Sequence, residues 1–305
     1  MSDTHRSLDI AGWSAMIVTV ILWVGFALTM RAIAFSQLTI VDVAVIRFGV
    51  PTVVLLPFLP RAIRQVRQAP VAACLLIAIG AGLPFYLLTA IGGDLTSATF
   101  VGVINPGMPP LYVACIGFVL FHQRFRLTSL LGYAAILTGL FAMVAASAHS
   151  THIAGAWVLM LAALCWAVYT IGLQRARLDP ITATLLVCLP SAMAALLLLV
   201  SGATASNLLT APTSDILGFA LMQGIGTGVI SSIAYTISIR RLGAITAATV
   251  GAMSPALVAI IAVPVFGESL PFVAGVGVAL VVGGIVTANL ANHRLPRAST
   301  AASPT

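Results

Sequence analysis

Two pairs of residues, Asn105–Pro106 and Ser254–Pro255, could do chemistry on a solute, because each sits near the middle of a long apolar run. Proline has no N–H, so it leaves a carbonyl one turn back without its donor. An amide or hydroxyl side chain beside that carbonyl makes a small polar island. In lipid such a gap is tolerated only where the backbone packs on protein or lines a cavity. Corresponding Gly/Pro interruptions in two halves of a hydrophobic chain point to a transport site. The plainer alternative is that Asn105 and Ser254 only satisfy backbone groups at a kink. Thr99 lies close enough to Asn105 in sequence to share its helix face loosely.

Other candidates surround these. Arg47 lies well inside an apolar run, where a cation costs roughly 2.5–3.5 kcal/mol unless it finds a partner. It either balances the charge of an anionic solute or caps carbonyls of a neighbouring helix. Trp23, Trp166, Tyr86, Tyr169 and Tyr235 lie away from loop ends, and their polar atoms need partners when buried. They line a cavity or pack between helices. Gln223, a candidate to face the cavity, heads a glycine series, Gly224, Gly226 and Gly228, whose spacing suits close helix approach. Glu268 ends an apolar run and is assigned to the turn that follows. The histidines and cysteines show no ligand spacing, so no metal centre is expected and no cofactor is implied. No Walker loop or nucleophile–base pair is present, which leaves an ATP-driven pump or an intramembrane lipid enzyme without support in this chain.

The elements that must position these residues follow from composition. The 305 residues are 60% hydrophobic and 7% charged, with a mean hydropathy of +1.13. Soluble domains carry about 25% charged residues, so the lipid bilayer must serve as solvent. At about 20 residues per span, the apolar runs read as ten helices: 10–30, 39–60, 70–91, 96–121, 127–148, 153–174, 181–201, 215–238, 244–267 and 271–291. The runs are continuous and lack the alternation of a β-barrel. The segment 1–9 is a short cytoplasmic N-terminus, and 292–305 is a polar, disordered tail.

Charge sets the orientation. The net charge is +7, all fourteen basic side chains being arginine. They fall in small groups between apolar runs and form no basic face, which argues against nucleic acid. Twelve of the fourteen lie on one side if both termini are cytoplasmic. Asp42, Asp94, Asp215 and Glu268 collect on the other. The expectation is an inner (plasma) membrane protein with both termini inside.

The chain also repeats. SATFVGVINP at 97–106 returns as TAATVGAMSP at 246–255; Ile10–Gly12 returns at Ile153–Gly155, and Trp23 as Trp166. Leu127 and Gly132 return as Leu270 and Gly275. The repeats are 10–148 and 153–291. Each holds five spans, an odd number, so the second must enter the membrane from the opposite face. The fold class is therefore all-α, with ten transmembrane helices in two inverted five-helix repeats.

With Leu22–Trp23 and its echo Cys165–Trp166, Ile46–Arg47–Phe48, Ser254–Pro255 and Phe266–Gly267–Glu268–Ser269 in place, the chain resembles the EamA family of the drug/metabolite transporter superfamily. The resemblance runs from about Ile10 to Leu290 and departs at Phe121–Arg124, where Gln123 stands in place of a family acid. It implies a secondary transporter exporting small organic solutes such as amino acids, other metabolites or drugs. Alternating access would operate around a site lined by spans 3, 4, 8 and 9, with help from 1 and 6. The family places an arginine at Arg47 across many substrates, which favours its structural role. A non-transporting scaffold or receptor is the alternative. Monomer and homodimer both remain open.

Overall fold

The computed structural model describes residues 9–121, 127–146, 150–242 and 244–293. Gln123, the segment 1–8 and the tail from 294 lie outside the described residues. Among the described residues, ten helices are long and apolar enough to cross a membrane. They are α1 (Ile10–Phe35), α2 (Ile40–Gln68), α3 (Val71–Leu95), α4 (Ala98–Val119), α5 (Leu127–Ala145), α6 (Thr151–Ala176), α7 (Pro180–Val200), α8 (Thr213–Leu242), α9 (Thr249–Phe266) and α10 (Phe272–Leu290).

These stretches are helical because lipid offers no partner for backbone polar groups, and a helix satisfies them internally. Their starts are capped where polar residues allow. The Asp9 carboxylate accepts from the Gly12 amide at 3.0 Å. Thr39 and Asp42 form a reciprocal capping box at the head of α2. Asp179 caps α7 through the Thr182 amide at 3.0 Å, and Ser97 caps α4 through the Phe100 amide at 3.3 Å. Large apolar side chains such as Leu131, Phe141, Trp157, Leu197, Leu221 and Phe272 are exposed on the outside of the bundle. Water would not support such a surface, whereas hydrocarbon does. Alanine, glycine and serine are instead prominent among the buried positions of the bundle.

The packing order obeys the repeat. α1 packs on α8 as α6 packs on α3; α2 packs on α7, α4 on α9, and α5 on α10. Exchanging the two halves leaves that list unchanged, as a pseudo-two-fold axis requires. The α5–α10 contact is close because glycines remove the side chains between the backbones. A Cβ added at Gly139 would stand 2.4 Å from the Gly277 carbonyl oxygen, and one at Gly284 2.5 Å from the Gly132 carbonyl oxygen.

Three interruptions shape the interior. α3 breaks at Ala81–Gly82, and the Ser191 hydroxyl accepts from the Leu83 amide at 3.0 Å to restart it. α4 breaks at Met108, after which Pro109 opens the next helix. The chain of α9 breaks at Ala252–Met253, and Pro255 falls in the first turn of the helix that resumes at Ser254. Sequence alone put both repeat breaks at the matched prolines. In the first repeat the break comes later, because Pro106 is held inside Ala98–Gly107 while Pro109 starts a helix, where its missing N–H costs nothing.

Candidate functional site

The pairing of helices leaves a cavity of about 110 Å³ between the halves, lined by α1, α2, α3, α6, α7 and α8. A buried water needs roughly 10–15 Å³, so this space admits a group of several heavy atoms. α1 contributes Trp23 and Phe26, and α6 contributes Trp166 and Tyr169. These are equivalent positions, since Phe26 precedes Tyr169 by the same interval that separates Trp23 from Trp166. α2 contributes Arg47 and Phe48, and α7 contributes Thr184, Val187 and Cys188. Counted from the caps Thr39 and Asp179, Arg47 corresponds to Val187 and Phe48 to Cys188. α3 adds Ala81 and Phe85 at its break; α8 adds Thr227, Gly228, Ser231 and Ser232.

Aromatic rings dominate the wall. Phe85 and Trp166 have centroids 5.1 Å apart, Trp166 and Tyr169 also 5.1 Å, and Phe26 stacks on Phe85 at 6.2 Å. Polar groups come mainly from α8, which winds as a π-helix between Ala220 and Ile230. The Thr227 hydroxyl accordingly donates to the Met222 carbonyl five residues back, at 2.9 Å. Such wide turns are common at functional sites.

Arg47 is buried at 9% exposure. Its guanidinium donates from Nη1 to the Gln223 side-chain oxygen and stands 4.7 Å from the Phe26 ring centre. Gln223 in turn donates to the Thr29 hydroxyl, which donates to the Gly25 carbonyl at 2.8 Å. A polar chain thus links α2, α8 and α1. A hydrogen bond to a charged group is worth about 1.5–3 kcal/mol, and a desolvated cation–π contact about 2 kcal/mol. Together these offset the roughly 2.5–3.5 kcal/mol cost of the intramembrane charge. Among the described residues, no Asp or Glu lines the cavity to neutralise it. The Arg47 Nε has no acceptor among the described residues.

Of the residues singled out by sequence, Trp23, Trp166, Tyr169 and Arg47 line this cavity. Tyr235 lies behind it, its ring 5.0 Å from Trp23. Tyr86 is fully buried, and its hydroxyl donates to the Ile40 carbonyl at 2.9 Å. Gln223 acts from behind the wall through Arg47. Thr99, Asn105, Pro106, Ser254 and Pro255 are not among the lining residues. The expectation of a cavity beside the proline breaks, lined by spans 4 and 9, therefore does not describe this one. At Gly102 α4 and α9 meet closely: a Cβ there would stand 2.6 Å from the Val258 side chain. Asn105 spends its amide N–H on the Thr89 hydroxyl at 3.3 Å, and its oxygen is buried without a donor among the described residues.

Glu268 also serves elsewhere than its expected turn. Gly267 takes φ +64° at the end of α9, a conformation glycine adopts without strain. The carboxylate that follows accepts from the Ala98 amide at 2.6 Å, the Thr99 amide at 3.3 Å and the Thr99 hydroxyl at 2.8 Å. On the same face, Asp42 accepts from the Ser206 hydroxyl at 2.6 Å and the Asn207 amide at 2.9 Å. The acid-rich ends of the helices are thus tied together across the repeats.

Sequence reasoning missed Phe26, Phe48, Phe85, Thr184 and the Ser231–Ser232 pair. The repeat offset carried Trp23 to Trp166 and, applied once more, carries Phe26 to Tyr169.

The EamA-like transporter family profile matches residues 10–145 and again 153–290. A search of curated proteins finds no match. A solved chain described only as a crystal structure of a protein has the same fold, with TM-score 0.60 and 20% identity over 93% of this chain and 99% of that one. The two profile matches fall on the two five-helix halves, and the chain belongs to the EamA-like transporter family.

Proposed function

We propose that the protein is a secondary transporter, acting as an exporter of small organic metabolites such as amino acids or drugs by alternating access at the plasma membrane. The observation that carries this reading is the cavity between the repeats, walled by equivalent aromatic pairs with one cation. A solute held there contacts both halves, so rocking one half against the other changes the face to which it is exposed. The ties at the acid-rich ends hold that face closed, and the arginines gathered at the opposite ends support a cytoplasmic location for those ends. Both termini then lie in the cytoplasm.

The test is flux in proteoliposomes of fixed orientation, using a panel of labelled amino acids, organic acids and amphipathic drugs. Movement of at least one class above protein-free vesicles is expected. A folded, oriented preparation that moves none overturns the reading.

A further inference from the structure

Among the described lining residues, the two halves of the cavity differ in charge. Trp23 answers Trp166 and Phe26 answers Tyr169, but Arg47 faces a site whose equivalent is Val187. A fixed positive charge has been added to one half of an otherwise aromatic and hydroxyl-bearing wall. Among the described residues the lining holds no carboxylate to neutralise it. Gln223 gives an oxygen to Nη1, and Phe26, Phe48 and Tyr86 give ring faces within 4.7–5.9 Å, all of them uncharged. Nε stays without an acceptor among the described residues. Gln223 and the rings fix the guanidinium in place while leaving part of its donor fork to be filled. A planar oxyanion is the group that matches such a fork.

We propose that Arg47 is the carboxylate-binding group of the cavity, and that the protein prefers small organic monoanions: one carboxylate on a compact aromatic or apolar body. This rests on the transporter reading above. The body lies among Trp23, Phe85 and Trp166, while the carboxylate takes the free donors of Arg47. A zwitterionic amino acid fits less well, because its ammonium meets no acid among the described lining residues. A dianion fits less well too, since one cation cannot neutralise it.

The probes are 3-phenylpropionate, its neutral amide, and phenylalanine. Trp23 and Trp166 serve as reporters once the lipid-facing Trp13 and Trp157 are changed to Phe. In purified full-length protein, 3-phenylpropionate should change the fluorescence and bind about tenfold more tightly than its amide, with phenylalanine between them. Arg47→Gln should weaken binding of the acid far more than of the amide and so abolish that preference, and Arg47→Lys should restore part of it. The wild-type comparison stands even if Arg47→Gln fails to fold. Equal binding of acid and amide by the wild type, or no binding of the acid up to about 10 mM, overturns the assignment. Either result leaves the transporter reading intact if the flux panel moves a neutral or cationic solute. Absence of flux for every solute removes that reading instead.

Discussion

Glu268, at the end of α9, is hydrogen-bonded to Thr99, in the first turn of α4, through both its backbone amide and its hydroxyl. The two residues belong to different repeats, and the bond crosses the acid-rich face of the bundle. With the Ala98 amide it makes a three-donor closure. In alternating access, this closure must break when that face opens.

Glu268→Ala should therefore loosen the start of α4. Hydrogen exchange at the Ala98 and Thr99 amides should rise at least about tenfold, equivalent to about 1.4 kcal/mol. Mass spectrometry of the peptide spanning 96–104 measures this. Exchange in α5 and α10 should stay as in the wild type, because their glycine contacts lie elsewhere.

Gln223→Leu removes the acceptor that holds Arg47 and leaves a buried charge poorly satisfied. The expected cost is about 2 kcal/mol, read as a lower melting temperature in detergent. Thr29→Val, which removes only the outer link of the same chain, should cost less.

Gly102→Ala places a methyl group 2.6 Å from Val258 and should destabilise by about 1–3 kcal/mol through overpacking. Val258→Ala opens that space, so the double variant should recover part of the loss. A double-mutant cycle on thermal stability reads the coupling. No recovery would show that α4 and α9 do not meet there.

Asp179 predicts a pH effect. Partial burial raises its pKa, but the Thr182 amide, Gln65, the Thr182 hydroxyl and the Arg61 guanidinium together hold it below 3.8. Arg61 approaches to 3.1 Å. A lowered carboxylate pKa contributes stability that is complete above the unfolded value and is lost as pH falls through the folded one. The melting temperatures of wild type and Asp179→Asn should differ by a constant amount at neutral pH and converge as pH drops below about 4. A difference that grows on acidification contradicts the assignment.

The ten helices, their order and the repeat were legible in the sequence because each depends on local composition: apolar runs long enough to span, and arginines between them. Trp23 and Trp166 were legible because the repeat fixes their depth. The full lining of the cavity on α1–α3 and α6–α8 was not. Pro106 and Pro255 mark where a helix weakens, but whether space opens beside them depends on what packs there. Val258 fills the groove that Gly102 leaves. Arg47 looked like a structural residue in sequence. Its long-range partner Gln223 and its place on the cavity wall arise only from the packing of α2 against α8.

The central claim is that solute crosses by alternately opening the two faces around this cavity. Thr99→Cys with Glu268→Cys, in a background with Cys74, Cys115, Cys165 and Cys188 replaced, tests it most directly. A short, cleavable thiol cross-linker then locks the acid-rich face. Proteoliposome flux of the best-transported solute should fall at least about tenfold on linkage and return on cleavage. Undiminished flux through fully cross-linked protein would contradict the account.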